Sequence, residues 1–328
     1  MAQPTSYTIG SSTCWTGRKT DASLGIQYWY QAVEPIDLFS ADISNYKNSV
    51  GLLGYACDEG VRRNQGRIGA AKGPDAIRSR LARVAWHHHH KIFDAGTISC
   101  IDRNLELSQQ DLSTCVRTLL EADIFPILLG GGHDIAWGHF MGIRKFCSKE
   151  ERIGIVNFDA HFDLRNPLGH ANSGTPFFQI LTDPLSHAGY LPIGIQYGSN
   201  TPELFDTADK FGVSFISLED CQLDNNRYLS LLEEFINTHD KLYITVDLDG
   251  FSSAYAPGVS APNPLGLKPS FVTRSIKRLV ASGKVVSIDL AEMNPNFDID
   301  NSTARLASEL VDIVIRAVHS WDPSICSS

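Results

Sequence analysis

The stretch Ile153-Gly154-Ile155-Val156-Asn157-Phe158-Asp159-Ala160-His161-Phe162-Asp163 decides how the chain is read. An apolar run of strand length ends in Asp-x-His-x-Asp. In extended backbone successive side chains alternate faces, so Asp159, His161 and Asp163 are expected to point the same way. Two carboxylates and an imidazole crowded at one strand end repel one another, or are desolvated at a cost, unless positive charge sits among them. The economical reading is one metal ion or two.

Outward from this stretch the chain alternates strand and helix from Gly51 onward. Candidate strands are 51–56, 91–95, 124–129, 152–158, 191–196, 213–217, 242–248 and 284–290. Several are unbroken Val/Ile/Leu runs, as strands covered on both faces require. Between them lie amphipathic segments of helix length, roughly 75–84, 108–121, 134–146, 201–210, 225–237, 269–281 and 302–319. The clearest repeats apolar residues at Leu112, Cys115, Val116, Leu119 and Leu120 behind Ser108 as the expected N-cap. Residues 1–50 show no periodicity and read as an irregular arm with one short helix, leaving 51–328 as a single catalytic domain. The fold class is α/β, one doubly wound, mostly parallel sheet of about eight strands.

In such sheets ligands bind beyond the carboxyl ends of the strands, and polar clusters do follow them. After 124–129 comes Gly130-Gly131-Gly132-His133-Asp134, where glycines let backbone turn tightly and approach a ligand. After 242–248 comes Asp247-Leu248-Asp249. Together with Asp159, His161 and Asp163 these make four aspartates and two histidines at three strand ends, a formal charge of -4 that two divalent cations would balance. Oxygen and imidazole donors without thiolate favour manganese over a structural zinc. Two ions roughly 3.5 Å apart would share a water acidified into a hydroxide nucleophile.

Composition narrows the partners. The 328 residues are 43% apolar and 20% charged, ordinary for a globular protein, with a net charge of -9 and no Lys/Arg block. That balance argues against a nucleic-acid partner. No apolar run has the length of a membrane span, and Met1 to Thr20 lacks a signal core, so a cytoplasmic location is expected. Seven scattered cysteines, never spaced CxxC, suggest reduced thiols. The run His87 to His90 lacks a strand-end context and reads as an exposed loop.

The set Gly-Gly-Gly-His133-Asp, Asp159-Ala-His161-x-Asp163, Asp247-x-Asp249 and Ile288-Asp289-Leu290-Ala291-Glu292-Met293-Asn294-Pro295 resembles the ureohydrolases, the family of arginase and agmatinase. The resemblance runs from about Gly51 to the C-terminus. It implies a three-layer α/β/α fold of arginase type, two Mn2+ ions per subunit and a homo-oligomer, trimer or hexamer. By the family pattern His133, Asp159, Asp163 and Asp249 would hold one ion. Asp159 would bridge, and His161, Asp163, Asp247 and Asp249 would complete the other ion or bridge in turn. Asp163 matches the position that accepts the proton of the attacking hydroxide, and Glu292 the carboxylate that binds the cationic amidine or guanidine.

Ser173 stands where arginase and agmatinase carry a histidine, which tells against arginase activity. Asp58 to Arg67, His161 to Arg165, Ser173 to Phe177 and Gly194 to Thr201 resemble instead the formimidoylglutamase branch, which splits N-formimidoyl-L-glutamate into glutamate and formamide. A small dicarboxylate amidine needs cations in its pocket as well as Glu292. Arg165 and Arg67 are suitably placed for bidentate carboxylate recognition, and Ser173, Gln196 and Asn200 are further candidate contacts. The alternative is another ureohydrolase, acting on guanidinobutyrate, agmatine or arginine. The proline-rich loop Tyr255 to Leu267 is expected to wall the site.

Overall fold

The computed structural model describes residues 3–39, 42–222 and 226–320. Residue 225, expected to open a helix, and Cys326 lie outside them. The described strands are β1 (Tyr7–Thr8), β2 (Glu34–Pro35), β3 (Val50–Ala56), β4 (Ile92–Ser99), β5 (Phe125–Leu129), β6 (Ile153–Phe158), β7 (Ala188–Ile195), β8 (Ile216–Ser217), β9 (Lys241–Asp247) and β10 (Val285–Ala291). The helices are α1 (Glu59–Arg63), α2 (Gly73–Leu81), α3 (Leu105–Glu121), α4 (Ile135–Phe146), α5 (Pro176–Thr182), α6 (Pro202–Lys210), α7 (Leu218–Gln222), α8 (Asn226–Thr238), α9 (Pro269–Ala281) and α10 (Ser302–Ser320). Among the described residues no helix is long and apolar enough to cross a membrane.

All ten strands join one sheet in the order β1-β4-β3-β5-β10-β9-β6-β7-β8, with β2 also on β4. Every pairing is parallel except β1 with β4. The apolar runs divide by residue parity. Leu129, Val156, Ile244 and Ile288 face the layer of α2, α8, α9 and α10, whereas Leu128, Ile155 and Tyr243 face α3, α4, α5 and α6. Both faces are therefore covered, and burying each such side chain contributes about 1.5–3 kcal/mol. The result is a three-layer α/β/α sandwich.

The order of the central strands positions the site. The chain crosses from β5 to β6 and leaves a gap between them, which β9 and β10 later fill. The carboxyl ends of β5, β10, β9 and β6 then lie level, with Leu290 beside Leu129, Ala291 beside Asp247 and Phe158 beside Val246.

Three expectations are corrected. The sheet has ten described strands, not about eight, because the N-terminal arm contributes β1 and β2 to the edge at β4. The arm is also anchored by buried indoles, Trp15 Nε1 donating to Asp94 at 2.8 Å and Trp29 Nε1 to Asp312 at 3.3 Å. Helix α3 starts earlier, capped by Asn104, whose side chain accepts the Leu107 N–H, and Ser108 is buried inside the helix. His88 is not in an exposed loop. Its ring packs edge-on against Trp29 and Trp86, and Nε2 lies 2.8 Å from Asp312 Oδ1.

Candidate metal centre and active site

Two of the three glycines after β5, Gly130 and Gly131, are required by neighbouring backbone, and Gly132 by the Asp134 and Val61 side chains. A Cβ on Gly131 would fall 1.8 Å from the Cys57 carbonyl oxygen, and one on Gly130 would fall 2.4 Å from that of Leu290. This contact lets Gly132 N–H donate to Cys57 and Glu292 N–H donate to Gly131, clamping the loop between the ends of β3 and β10. His133 follows it, just ahead of α4, almost wholly buried.

His133 Nε2 lies 3.0 Å from Thr245 Oγ1, and the Thr245 hydroxyl donates to Asp289 Oδ1 at 2.6 Å. A hydroxyl whose proton goes to a carboxylate must accept from its other neighbour. The network thus assigns the proton of His133 to Nε2 and leaves Nδ1 with a free lone pair. Asp289 is itself held by the Tyr243 hydroxyl and by His139 Nδ1.

His133 Nδ1 lies 2.9 Å from Asp247 Oδ2, 3.0 Å from Asp163 Oδ2 and 3.2 Å from Asp159 Oδ2. The second Asp159 oxygen lies 3.3 Å from His161 Nδ1, which is 3.4 Å from Asp249 Oδ1. Two donor sets result, His133 with Asp159, Asp163 and Asp247, and Asp159 with His161 and Asp249; within each, the donor atoms lie within 4.8 Å of one another. Asp159 belongs to both.

The residues fit a pair of cations. His133 Nδ1 and Asp249 Oδ1 are buried with no hydrogen-bond partner, a costly state for polar atoms unless something binds them. Burial, reinforced by Asp249 and Asp159, drives the Asp247 carboxyl well above its ordinary range. Burial also raises Asp249 to about 6 against the pull of His161. This is a nest of lone pairs short of positive charge.

The grouping differs in part from the family-based expectation, which placed Asp249 with His133 as well as with His161, and Asp247 at the second ion or as a bridge. Here Asp247 joins His133, and Asp249 joins His161. The physical reason is a pair of turns. Asp247 Oδ1 accepts the Asp249 N–H and Asp159 Oδ1 the His161 N–H, each at 2.8 Å. Both Asp-x-Asp and Asp-x-His therefore curl just where their strands end, so strand alternation is not what aims the side chains. Asp163 and Glu292 sit at φ +48° and +64°, a left-handed conformation uncommon outside glycine and concentrated at functional sites.

Glu292 Oε1 accepts the His133 N–H at 2.9 Å, while buried Oε2 has no partner. Burial first and Asp247 second raise this carboxyl well above its usual value. One oxygen is fixed and the other is left to meet a cationic group.

The expected substrate contacts divide. Arg165 is exposed at the rim and its guanidinium donates to Asn64 Oδ1 at 2.6 Å; Asn64 Nδ2 donates to buried Ser173 Oγ at 3.1 Å. Arg67 instead donates to the Val259 and Ser260 carbonyls and lies over the Phe297 ring, so it secures the proline-rich loop. Asn200 spends both N–H groups on Ala160 and Gln196 carbonyls while Oδ1 accepts the Phe162 N–H. It braces the Asp159–Asp163 turn. Gln196 Nε2 donates to Leu265. Asn64, Thr245 and Asp289 were not singled out from sequence as working residues. The signal was there for two of them, since Thr245 and Asp289 are polar interruptions in otherwise apolar strands.

The chain belongs to the arginase family, whose model matches residues 48–315. Within it, the chain is 41% identical to a formimidoylglutamase from Clostridium tetani (strain Massachusetts / E88), over 93% of this chain and 94% of that one. It is 40% identical to a formimidoylglutamase from Geobacillus thermodenitrificans (strain NG80-2), over 92% and 94%. It is also similar to the crystal structure of Trypanosoma cruzi formiminoglutamase with Mn2+, at a TM-score of 0.74 and 25% identity, over 85% of this chain and 97% of that one.

Proposed function

We propose that the protein hydrolyses N-formimidoyl-L-glutamate to L-glutamate and formamide. The observation that carries this reading is the unpartnered Glu292 oxygen beside two donor sets that share Asp159. The relatives named formimidoylglutamase point to the substrate. His133, Asp159, Asp163 and Asp247 would hold one divalent cation and Asp159, His161 and Asp249 a second, manganese in this reading, and the chemistry these supply when bound is a water acidic enough to attack at neutral pH.

The protein's own groups do the rest. Glu292 Oε2 binds the amidinium, with Oε1 pinned so that the carboxylate cannot turn away. Arg165, steadied by Asn64, faces a substrate carboxylate at the rim, with Ser173 beneath. Water adds at the formimidoyl carbon, and the bond from that carbon to the glutamate nitrogen breaks. Asp163 takes the proton released by the water and delivers it to the departing nitrogen, so formamide leaves with the other. In this reading the protein is cytoplasmic, as its scattered cysteines suggest, and a homo-oligomer, trimer or hexamer, as the family resemblance implies.

The test is a substrate panel of N-formimidoyl-L-glutamate, 4-guanidinobutyrate, L-arginine and agmatine, scored for formamide and for urea. Formamide from the first alone is the expected result. Urea from a guanidine with no formamide would sink the reading.

A further inference from the structure

We propose that the groove between α2 and α10 binds a small, multiply charged oxyanion, a phosphate ester or a polycarboxylate, at a site separate from the metal centre. It does not rest on the proposed reaction. Three arginines fall near the end of α2. Arg78 turns inward and donates to Asp94 and Thr97, leaving Arg80 and Arg83 to face α10. There they meet Arg305 and Arg316 around a cavity of about 560 Å3, a volume suited to a small-molecule ligand.

The charge in this cavity is not balanced from within. Arg316 is paired with Asp312, whose oxygens also serve His88 and Trp29. Among the described residues no carboxylate lies within ion-pair distance of Arg80, Arg83 or Arg305, although Glu309 lines the same cavity. Four arginines against Asp312 and Glu309 leave a local charge of +2 on a chain whose net charge is -9.

Arg80 Nε is shielded from solvent without a hydrogen-bond partner among the described residues. Burial, then the neighbouring Arg83 and Arg305, lower the affinity of this guanidinium for its proton. Like charges gathered around a buried donor are repulsive until an anion joins them. The planar fork of arginine selects carboxylate or phosphate oxygens. The metal chemistry uses none of these residues. His87, from the four-histidine run, also lines the groove.

The experiment is isothermal titration of the full-length, manganese-loaded protein with fructose 1,6-bisphosphate and separately with tricarballylate, each at low and high salt. The expected result is sub-millimolar binding of at least one, weakened by salt, and the responding probe identifies the source of the oxyanion. Arg80→Gln and Arg305→Gln should each weaken it at least tenfold while leaving hydrolytic turnover and sedimentation unchanged. Arg305 is exposed, so that variant decides the matter if Arg80→Gln fails to fold. The proposal is overturned if neither probe binds wild type, or if Arg305→Gln binds as wild type does. A smaller sedimenting species in Arg305→Gln also overturns it, because the groove is then a subunit contact.

Discussion

His133 Nε2 and Thr245 Oγ1 meet at 3.0 Å, and this contact decides which nitrogen of His133 faces the carboxylates. Thr245→Val keeps the shape and removes the hydroxyl. It frees the ring to rotate or change tautomer and leaves Asp289 Oδ1 without its donor. Loss of an outer partner of this kind lowers metal affinity about 10–100-fold, and the stranded carboxylate costs about 1–3 kcal/mol of stability. Equilibrium dialysis against Mn2+ checks the first and urea denaturation the second, with Thr245→Ser expected to restore both. Unchanged manganese affinity in the valine variant would remove the positioning role.

Asn200 distinguishes bracing from substrate contact. Asn200→Ala strands the Phe162 N–H and takes one of two donors from each of the Ala160 and Gln196 carbonyls, at about 1–3 kcal/mol of stability. Because the Asp159–Asp163 turn loosens, kcat and manganese affinity are expected to fall together, with KM nearly constant at full metal loading. A raised KM in a variant of wild-type stability would return Asn200 to the substrate pocket.

Arg165 is the opposite case. Its guanidinium is exposed and, among the described residues, holds only Asn64, so Arg165→Ala should change stability by no more than about 0.5 kcal/mol. In our reading it meets a substrate carboxylate. The variant's KM for N-formimidoyl-L-glutamate should rise about tenfold, a loss of about 1.4 kcal/mol of binding, with kcat close to wild type. Steady-state kinetics paired with a melting curve checks both halves.

Asp312 ties α10 to the N-terminal arm. Burial alone would raise its carboxyl, but the His88 contact and Arg316 outweigh it, and the group lies below the ordinary carboxylate range. Its stabilising contribution is therefore complete above the unfolded value near 3.9 and is lost as pH falls through the lower folded value. Asp312→Asn is expected to lose about 2 kcal/mol at neutral pH and to converge on wild type in acid. Urea midpoints at pH 7, pH 5 and pH 3 test this, and a gap that widens towards pH 3 would contradict it.

The central sheet was legible because strands buried on both faces must be mostly apolar, as β5 is throughout and β6 and β9 are apart from single polar positions such as Asn157 and Thr245. The two-residue strands β1 and β2 have no such run; they exist because the edge of β4 offers partners. The carboxylates and imidazoles of the candidate site were legible from their places after strands. Their aim was not, because it depends on side chains such as Asp247 and Asp159 folding back onto their own backbone. His88 was misread for a related reason. Its burial depends on Trp29 and Asp312, far away in sequence, and no local pattern reports that. At Arg67 and Asn200 only the hydrogen bonds show that the polar groups are occupied by protein carbonyls or amides.

N-formimidoyl-L-glutamate turnover is expected to depend on two manganese ions bound per chain. Apoprotein would be titrated with Mn2+ while glutamate release and bound metal are both measured. Turnover is expected to be negligible without metal, to climb steeply with the second equivalent and to level off at two ions per chain. Full turnover at one ion, or in the apoprotein, would contradict it.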